Sequence, residues 1–183
     1  LSQNGWIKFL KGHNDDLSTT KFKTGDSYLT HVYANTVSDL AFFDDIGNIY
    51  NLDRTKISLT RGNGEPLANY FVFNDGISIT GIHNLGSKKS VLNLSSKGIG
   101  FITNHEDLLV KNRKGKALIK VKDSRAVKPH CMDHDKDDYY LLITSDNYML
   151  VGNLKSVPIL SKGRGVKLIN LPKKSDEFIK FSG

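Results

Sequence analysis

Three stretches decide the fold: Arg61-Gly62-Asn63-Gly64-Glu65-Pro66-Leu67, Asn112-Arg113-Lys114-Gly115-Lys116-Ala117-Leu118 and Lys162-Gly163-Arg164-Gly165-Val166-Lys167-Leu168. All end in Gly-x-x-Leu. Gly64 and Gly115 lie 51 residues apart, and Gly115 and Gly165 lie 50 apart. The apolar residue ahead of each turn (Leu59, Val110, Leu160) keeps the same step. A period near fifty, in a chain of short strand-like segments, indicates stacked or radial β units. Positive charge at the same point of every unit suggests one long polyanion touched at regular intervals.

Working outward, each unit has the same order. A strand enters a tight turn at Asp44-Asp45-Ile46-Gly47, Ser95-Ser96-Lys97-Gly98 or Ser145-Asp146-Asn147, with Gly or Asn where a hairpin demands a positive φ. A second strand, a short connection and the basic turn follow, and a third strand starts at the shared Leu. The pattern predicts strands at 28–33, 39–43, 49–52, 70–73, 77–82, 90–94, 100–103, 117–121, 139–144, 148–151, 167–170 and 178–181, with no sustained helical period. Residues 1–35 read as a partial copy: Ser2-Gln3-Asn4-Gly5 is its hairpin turn, Trp6–Leu10 its second strand and Lys11-Gly12-His13 its basic turn. The expectation is a single all-β domain over 1–183, a propeller-like array of about four-stranded blades in an incomplete or open ring. Its full repeats are placed at about 36–87, 88–136 and 137–183.

The 183 residues are enough for one sizeable core, and 38% hydrophobic with 25% charged residues is a globular composition. No apolar run reaches membrane-spanning length, and no basic-then-apolar leader opens the chain. The start at Leu1 without Met is what a piece of a longer polypeptide would show. The lone Cys131 allows no internal disulfide and suits a reducing cytoplasm. The net charge is +7. Residues 1–92 carry nine Lys/Arg and nine Asp/Glu, whereas 93–183 carry seventeen and ten, so the linear excess lies in the second half. That asymmetry favours a nucleic acid or another anionic partner.

With the basic turns in hand, Gly5-Trp6-Ile7-Lys8 with Lys11-Gly12-His13, and Leu160-Ser161 running through the third turn into Ile169-Asn170, complete a pattern covering nearly the whole chain. It resembles the C-terminal domain family of the ParC-type subunit of bacterial DNA topoisomerase IV, in the gyrase A C-terminal domain superfamily. The resemblance implies a β-pinwheel, whose blades exchange strands with their neighbours. It also implies duplex DNA held and bent along a basic rim and presented for decatenation and relaxation. The implied parent is an ATP-dependent type IIA topoisomerase using Mg2+. In it a homodimer of ParC-type chains works with separate ATPase chains, in the cytoplasm and associated with the nucleoid. This chain itself is expected to be non-catalytic and to need no cofactor. Gyrase A relatives carry a Q-R-R-G-G-K-G box in the first blade. Here that place reads Lys11-Gly12-His13-Asn14 and runs into Asp15 and Asp16, which favours the topoisomerase IV type over a DNA-wrapping gyrase domain.

The candidate phosphate contacts are Lys11, Arg61, Lys111, Arg113, Lys114, Lys116, Lys162, Arg164 and Lys167. Lys and Arg supply charge there, and glycine lets backbone N–H groups approach the phosphates. The structural alternative is that these are solvated loop charges beside glycines required by the backbone. Nothing resembles a base-reading helix, so little direct sequence readout is expected.

Other constellations carry less. His130-Cys131-Met132-Asp133-His134 lacks paired zinc-ligand spacing. Asp133, Asp135 and Asp137 start like a calcium loop, but Asp138 and Thr144 stand where Gly and Glu belong, and a solvated hairpin fits better. His83 and His105 show no catalytic partner. Trp6, Phe42, Phe101, Tyr139, Tyr140 and Tyr148 are expected to pack between strands. A propeller that binds a protein or another polyanion is the second reading, and a propeller hydrolase the third.

Overall fold

The computed structural model describes residues 1–12, 16–57, 62–133, 136–171 and 178–182. Among them are thirteen strands, no α-helix, and five short 3-10 turns. In chain order the strands are β1 (Trp6–Ile7), β2 (Leu40–Asp44), β3 (Asn48–Leu52), β4 (Glu65–Pro66), β5 (Ile79–Asn84), β6 (Ser90–Leu94), β7 (Ile99–Thr103), β8 (Lys116–Ala117), β9 (His130–Met132), β10 (Tyr139–Thr144), β11 (Met149–Asn153), β12 (Val166–Lys167) and β13 (Ile179–Ser182). They form four antiparallel sheets. Sheet I is β1-β4, sheet II β5-β2-β3-β8, sheet III β12-β7-β6-β9 and sheet IV β11-β10-β13.

The hairpin expectation holds. Gly5, Gly47, Gly98 and Asn147 all have positive φ at the tight turns. Each central strand then pairs with the strand that closes its own unit: β2 with β5, β6 with β9, β10 with β13. The short strand after each basic turn behaves differently and crosses to the sheet of the preceding unit. β4 joins β1, β8 joins β3 and β12 joins β7. This is the strand exchange of a pinwheel.

Exchange buries the middle of the array on both faces. All five residues of β2 are buried, as are all five of β6; β2 reads as a nearly unbroken apolar run, whereas β6 buries Ser90 and Asn93 among its apolar residues. Leu40 and Phe42 of β2 pack with Ile7, Leu67 and Phe71, while Ala41 and Phe43 pack on the other face with Val91 and Leu118. Leu92 and Leu94 of β6 face Leu142 and Tyr140 of sheet IV. Polar links reinforce the stack: Arg125 is ion-paired with the buried Asp45 of the β2–β3 turn. Sheet IV is covered on one face only; β10 alternates while Tyr148, Met149 and Val151 stay exposed.

Several strand expectations are corrected. Residues 28–33 form no strand among themselves; a single bridge joins Tyr28 to Ser2. Residues 70–73 follow the 3-10 turn Leu67–Asn69 and turn their aromatic rings inward instead of pairing: Phe71 stacks against Phe42 and Tyr50. The strands expected at 6–10, 117–121 and 167–170 are clipped to two-residue pairings. Conversely, His130–Met132 is a strand that reads as polar in sequence. Phe42, Phe101 and Tyr140 pack as expected, but Tyr139 and Tyr148 are exposed and Trp6 is half-buried.

Candidate nucleic-acid interface

The repeated Gly-x-x-Leu has a common geometric cause. Leu67, Leu118 and Leu168 are buried, and each donates its backbone N–H to the hairpin glycine carbonyl of the preceding unit: Gly5 at 2.9 Å, Gly47 at 2.9 Å and Gly98 at 2.8 Å. The glycine three residues earlier sits against the outer strand of that preceding sheet. At Gly115 (φ +74°) a Cβ would lie 2.6 Å from Tyr50 Cε1 and 2.9 Å from the Ile49 carbonyl oxygen. At Gly165 it would collide with the Gly100 carbonyl and the Phe101 ring, and at Gly64 with the Ile7 carbonyl and the Lys8 stem. Positive φ and a close approach together leave only glycine. Each basic turn is thus clamped at both ends of the motif, and its charged residues are held at a fixed place on the array.

The turns also touch their neighbours through main-chain bonds. The Arg113 carbonyl accepts from Val72 N, five residues beyond Leu67. Gly163 N donates to the Leu118 carbonyl at 2.9 Å, and the Gly163 carbonyl accepts from Lys120 N at 2.7 Å. The second and third turns are therefore joined by a short parallel contact, Ile119 opposite Gly163.

Within this frame the candidate cations differ. Lys11, Lys111, Lys114, Lys162, Arg164 and Lys167 are exposed, and no described residue holds them in a hydrogen bond or ion pair. Arg113 is exposed but commits part of its fork to the fold: Nε donates to the Tyr70 carbonyl at 2.7 Å and an Nη to the Asn69 carbonyl at 2.8 Å. Lys116 is half-buried, and its Nζ donates to the Asp107 carbonyl at 3.0 Å. Arg61 lies outside the described residues. Lys120 went unnoticed in sequence; it belongs to no basic turn, and only its main-chain bond to Gly163 brings its exposed side chain beside the third one.

Arg113→Lys separates these roles, since lysine keeps the charge but cannot reproduce the fork. The variant is expected to lose about 1 kcal/mol of stability in a urea titration, while its duplex affinity stays within about twofold if charge alone matters there.

His83 does have a partner: its Nδ1 lies 2.8 Å from Cys131 Sγ, bridging β5 and β9. Burial, helped by His105, pushes the His83 pKa down to about 4. Unfolding returns it to about 6.5, so the unfolded state binds the extra proton between these values. The His83 contribution to stability is expected to be full above about pH 6.5 and to fall by about 3 kcal/mol as pH drops toward 4. His83→Gln should flatten that slope in pH-dependent denaturation. Asp133 and Asp137 are engaged in their own turn, the Asp133 N–H donating to Asp137 Oδ2 at 2.7 Å; His134 and Asp135 lie outside the described residues. Among the described residues no three His, Cys, Asp or Glu side chains are grouped to hold a metal. No described helix is long and apolar enough to cross a membrane.

The same architecture occurs in known proteins. The family model for the DNA gyrase C-terminal domain, a beta-propeller, matches residues 90–124 and 138–181. The solved C-terminal domain of E. coli ParC superposes with a TM-score of 0.85 and is 31% identical, covering all of this chain and 76% of that one. The chain belongs to the ParC family of topoisomerase IV, in its C-terminal domain. The A-type chain of DNA topoisomerase 4 from Salmonella typhimurium is 35% identical over 94% of this chain, which spans 23% of that relative's length. The solved DNA gyrase A C-terminal domain, at 17% identity and a TM-score of 0.70, shares the fold. This ParC-family domain is thus of pinwheel type, with its sheets linked by the exchanged strands.

Proposed function

We propose that the domain binds and bends duplex DNA through the row of basic turns and presents it to the rest of a type IIA topoisomerase for decatenation and relaxation. The observation that supports this most is the row itself: successive turns are clamped by one motif, tied to one another through main chain, and leave the side chains of Lys114, Lys162, Arg164 and Lys167 without internal partners among the described residues. Cationic side chains on a fixed backbone, with no side-chain role in the fold, are suited to phosphate contact, which positions a duplex without reading its sequence. Binding then proceeds by counterion release, with the energetic cost of curvature offset by additional contacts.

In this reading the domain is non-catalytic and takes no cofactor. Strand cleavage with Mg2+ and ATP hydrolysis belong to other parts of the enzyme, a homodimer of ParC-type chains and its ATPase partner chains, working on the bacterial nucleoid in the cytoplasm. The weak basic turn of the partial copy, Lys11-Gly12, favours bending over gyrase-type wrapping. The test is duplex affinity over a salt series. For about five phosphate contacts log K should fall against log[salt] with a slope near −4 to −5, with little sequence preference. Absence of binding at low salt would overturn the proposal and return attention to a protein partner.

A further inference from the structure

The basic turn of the partial copy, Lys11-Gly12, is the poorest in charge, yet the structure gathers lysines around sheet I that the linear sequence disperses. Sheet I pairs Trp6 with Pro66 and Ile7 with Glu65, directly after Gly64. The stem of Lys8 lies against Gly64, in the place that the Tyr50 and Phe101 rings take under Gly115 and Gly165. Lys8 Nζ donates to the Lys21 carbonyl and lies 5.1 Å from the centroid of the Phe22 ring. Lys23 Nζ stands 5.8 Å from the centroid of the Trp6 ring. The side chains of Lys21 and Lys23 are exposed.

None of the described acids is ion-paired with Lys21 or Lys23; those nearby hold local bonds of their own. Asp26 Oδ1 accepts the N–H groups of Asn4 and Ser27 at 3.0 and 2.8 Å. Glu65 accepts from the Tyr70 hydroxyl. Asp16 takes the Ser18 N–H at 3.0 Å and acts electrostatically on Tyr28.

We propose that Lys21 and Lys23, braced by Lys8 and Trp6, form a phosphate-binding patch that continues the row of turns over sheet I, replacing the missing charge of the Lys11-Gly12 turn. The inference rests on the duplex-binding reading above and adds a further contact surface to it. A half-buried ring beneath an ammonium keeps Lys23 near the surface instead of letting it sweep freely. The duplex would therefore cross sheet I as well as the second and third turns.

Trp6 is the chain's single tryptophan, so its emission reports on this patch alone. The experiment titrates the protein with fluorescently labelled duplex, following label anisotropy and Trp6 emission, for wild type, Lys21→Glu/Lys23→Glu and Lys21→Gln/Lys23→Gln. The expected result is a saturable change in Trp6 emission that tracks anisotropy. The Glu pair should lose about tenfold or more in affinity near 100 mM salt, and the Gln pair should reduce the salt slope by about 2. Thermal melting of the variants should match wild type, because neither exposed ammonium holds the fold. If wild type binds duplex while Trp6 emission stays constant and both pairs keep affinity within twofold, the patch is refuted and the row of turns stands. If wild type fails to bind duplex even at low salt, the underlying reading falls and the patch falls with it.

Discussion

Gly115→Ala is expected to destabilise the domain by about 3 kcal/mol, the sum of roughly 1 kcal/mol for a side chain at positive φ and 1–3 kcal/mol for overpacking. The added methyl would sit 2.6 Å from the Tyr50 ring and 2.9 Å from the Ile49 carbonyl. Neither neighbour can give way easily. Tyr50 is buried and its hydroxyl donates to Asp44 Oδ2 at 2.8 Å, while Ile49 belongs to β3 and pairs with Lys116. Gly76 is the internal control: its φ is +72° but a Cβ would meet nothing within 4 Å. Gly76→Ala should therefore carry the backbone penalty alone, about 1 kcal/mol. The check is the urea midpoint of both variants at constant m. Equal midpoints would show that the Gly115 approach to the β3 strand is not tight in solution.

The largest effect on binding is expected from Lys114→Ala/Lys162→Ala/Arg164→Ala/Lys167→Ala. The side chains of these four cations make no hydrogen bond with any described residue, so their truncation should leave the melting temperature within about 2 °C. If each neutralises one phosphate, the quadruple variant loses three to four units of salt slope at about 0.9 per contact. Its duplex affinity near 100 mM salt should fall by about 100-fold or more. An unchanged slope with intact binding would mean that the duplex lies elsewhere on the array.

Much of this arrangement was legible in sequence because single residues carried several constraints at once. Gly115 must adopt positive φ, lie on the Tyr50 ring and precede a buried Leu118, so its pattern recurs at Gly64 and Gly165. The hairpin turns at Gly47, Gly98 and Asn147 were legible for the same reason. Strand exchange was legible only through the family resemblance. A pair such as Lys116–Ala117 contains no local signal of which sheet it will join; the choice is made by Leu118 burial and the Gly47 carbonyl. Residues 70–73 misread as a strand because aromatic residues serve packing and pairing equally well. The strand at His130–Met132 was hidden because its polar edge suggested ligands. At the candidate site, exposure of Lys114 and Arg164 followed from the turns, but the tethering of Arg113 to Asn69 and Tyr70 did not, since those carbonyls lie more than forty residues away.

The crossing of β4, β8 and β12 into the preceding sheets has a mechanical consequence. Force applied to a basic turn does not peel one sheet from the stack. It is shared between the sheet that receives the exchanged strand and the unit that supplies it, and the line of tension passes on to the next turn. A stiff polymer bent over these turns would pull on the array as on interlocked links, so that the whole stack, not one loop, opposes its recoil.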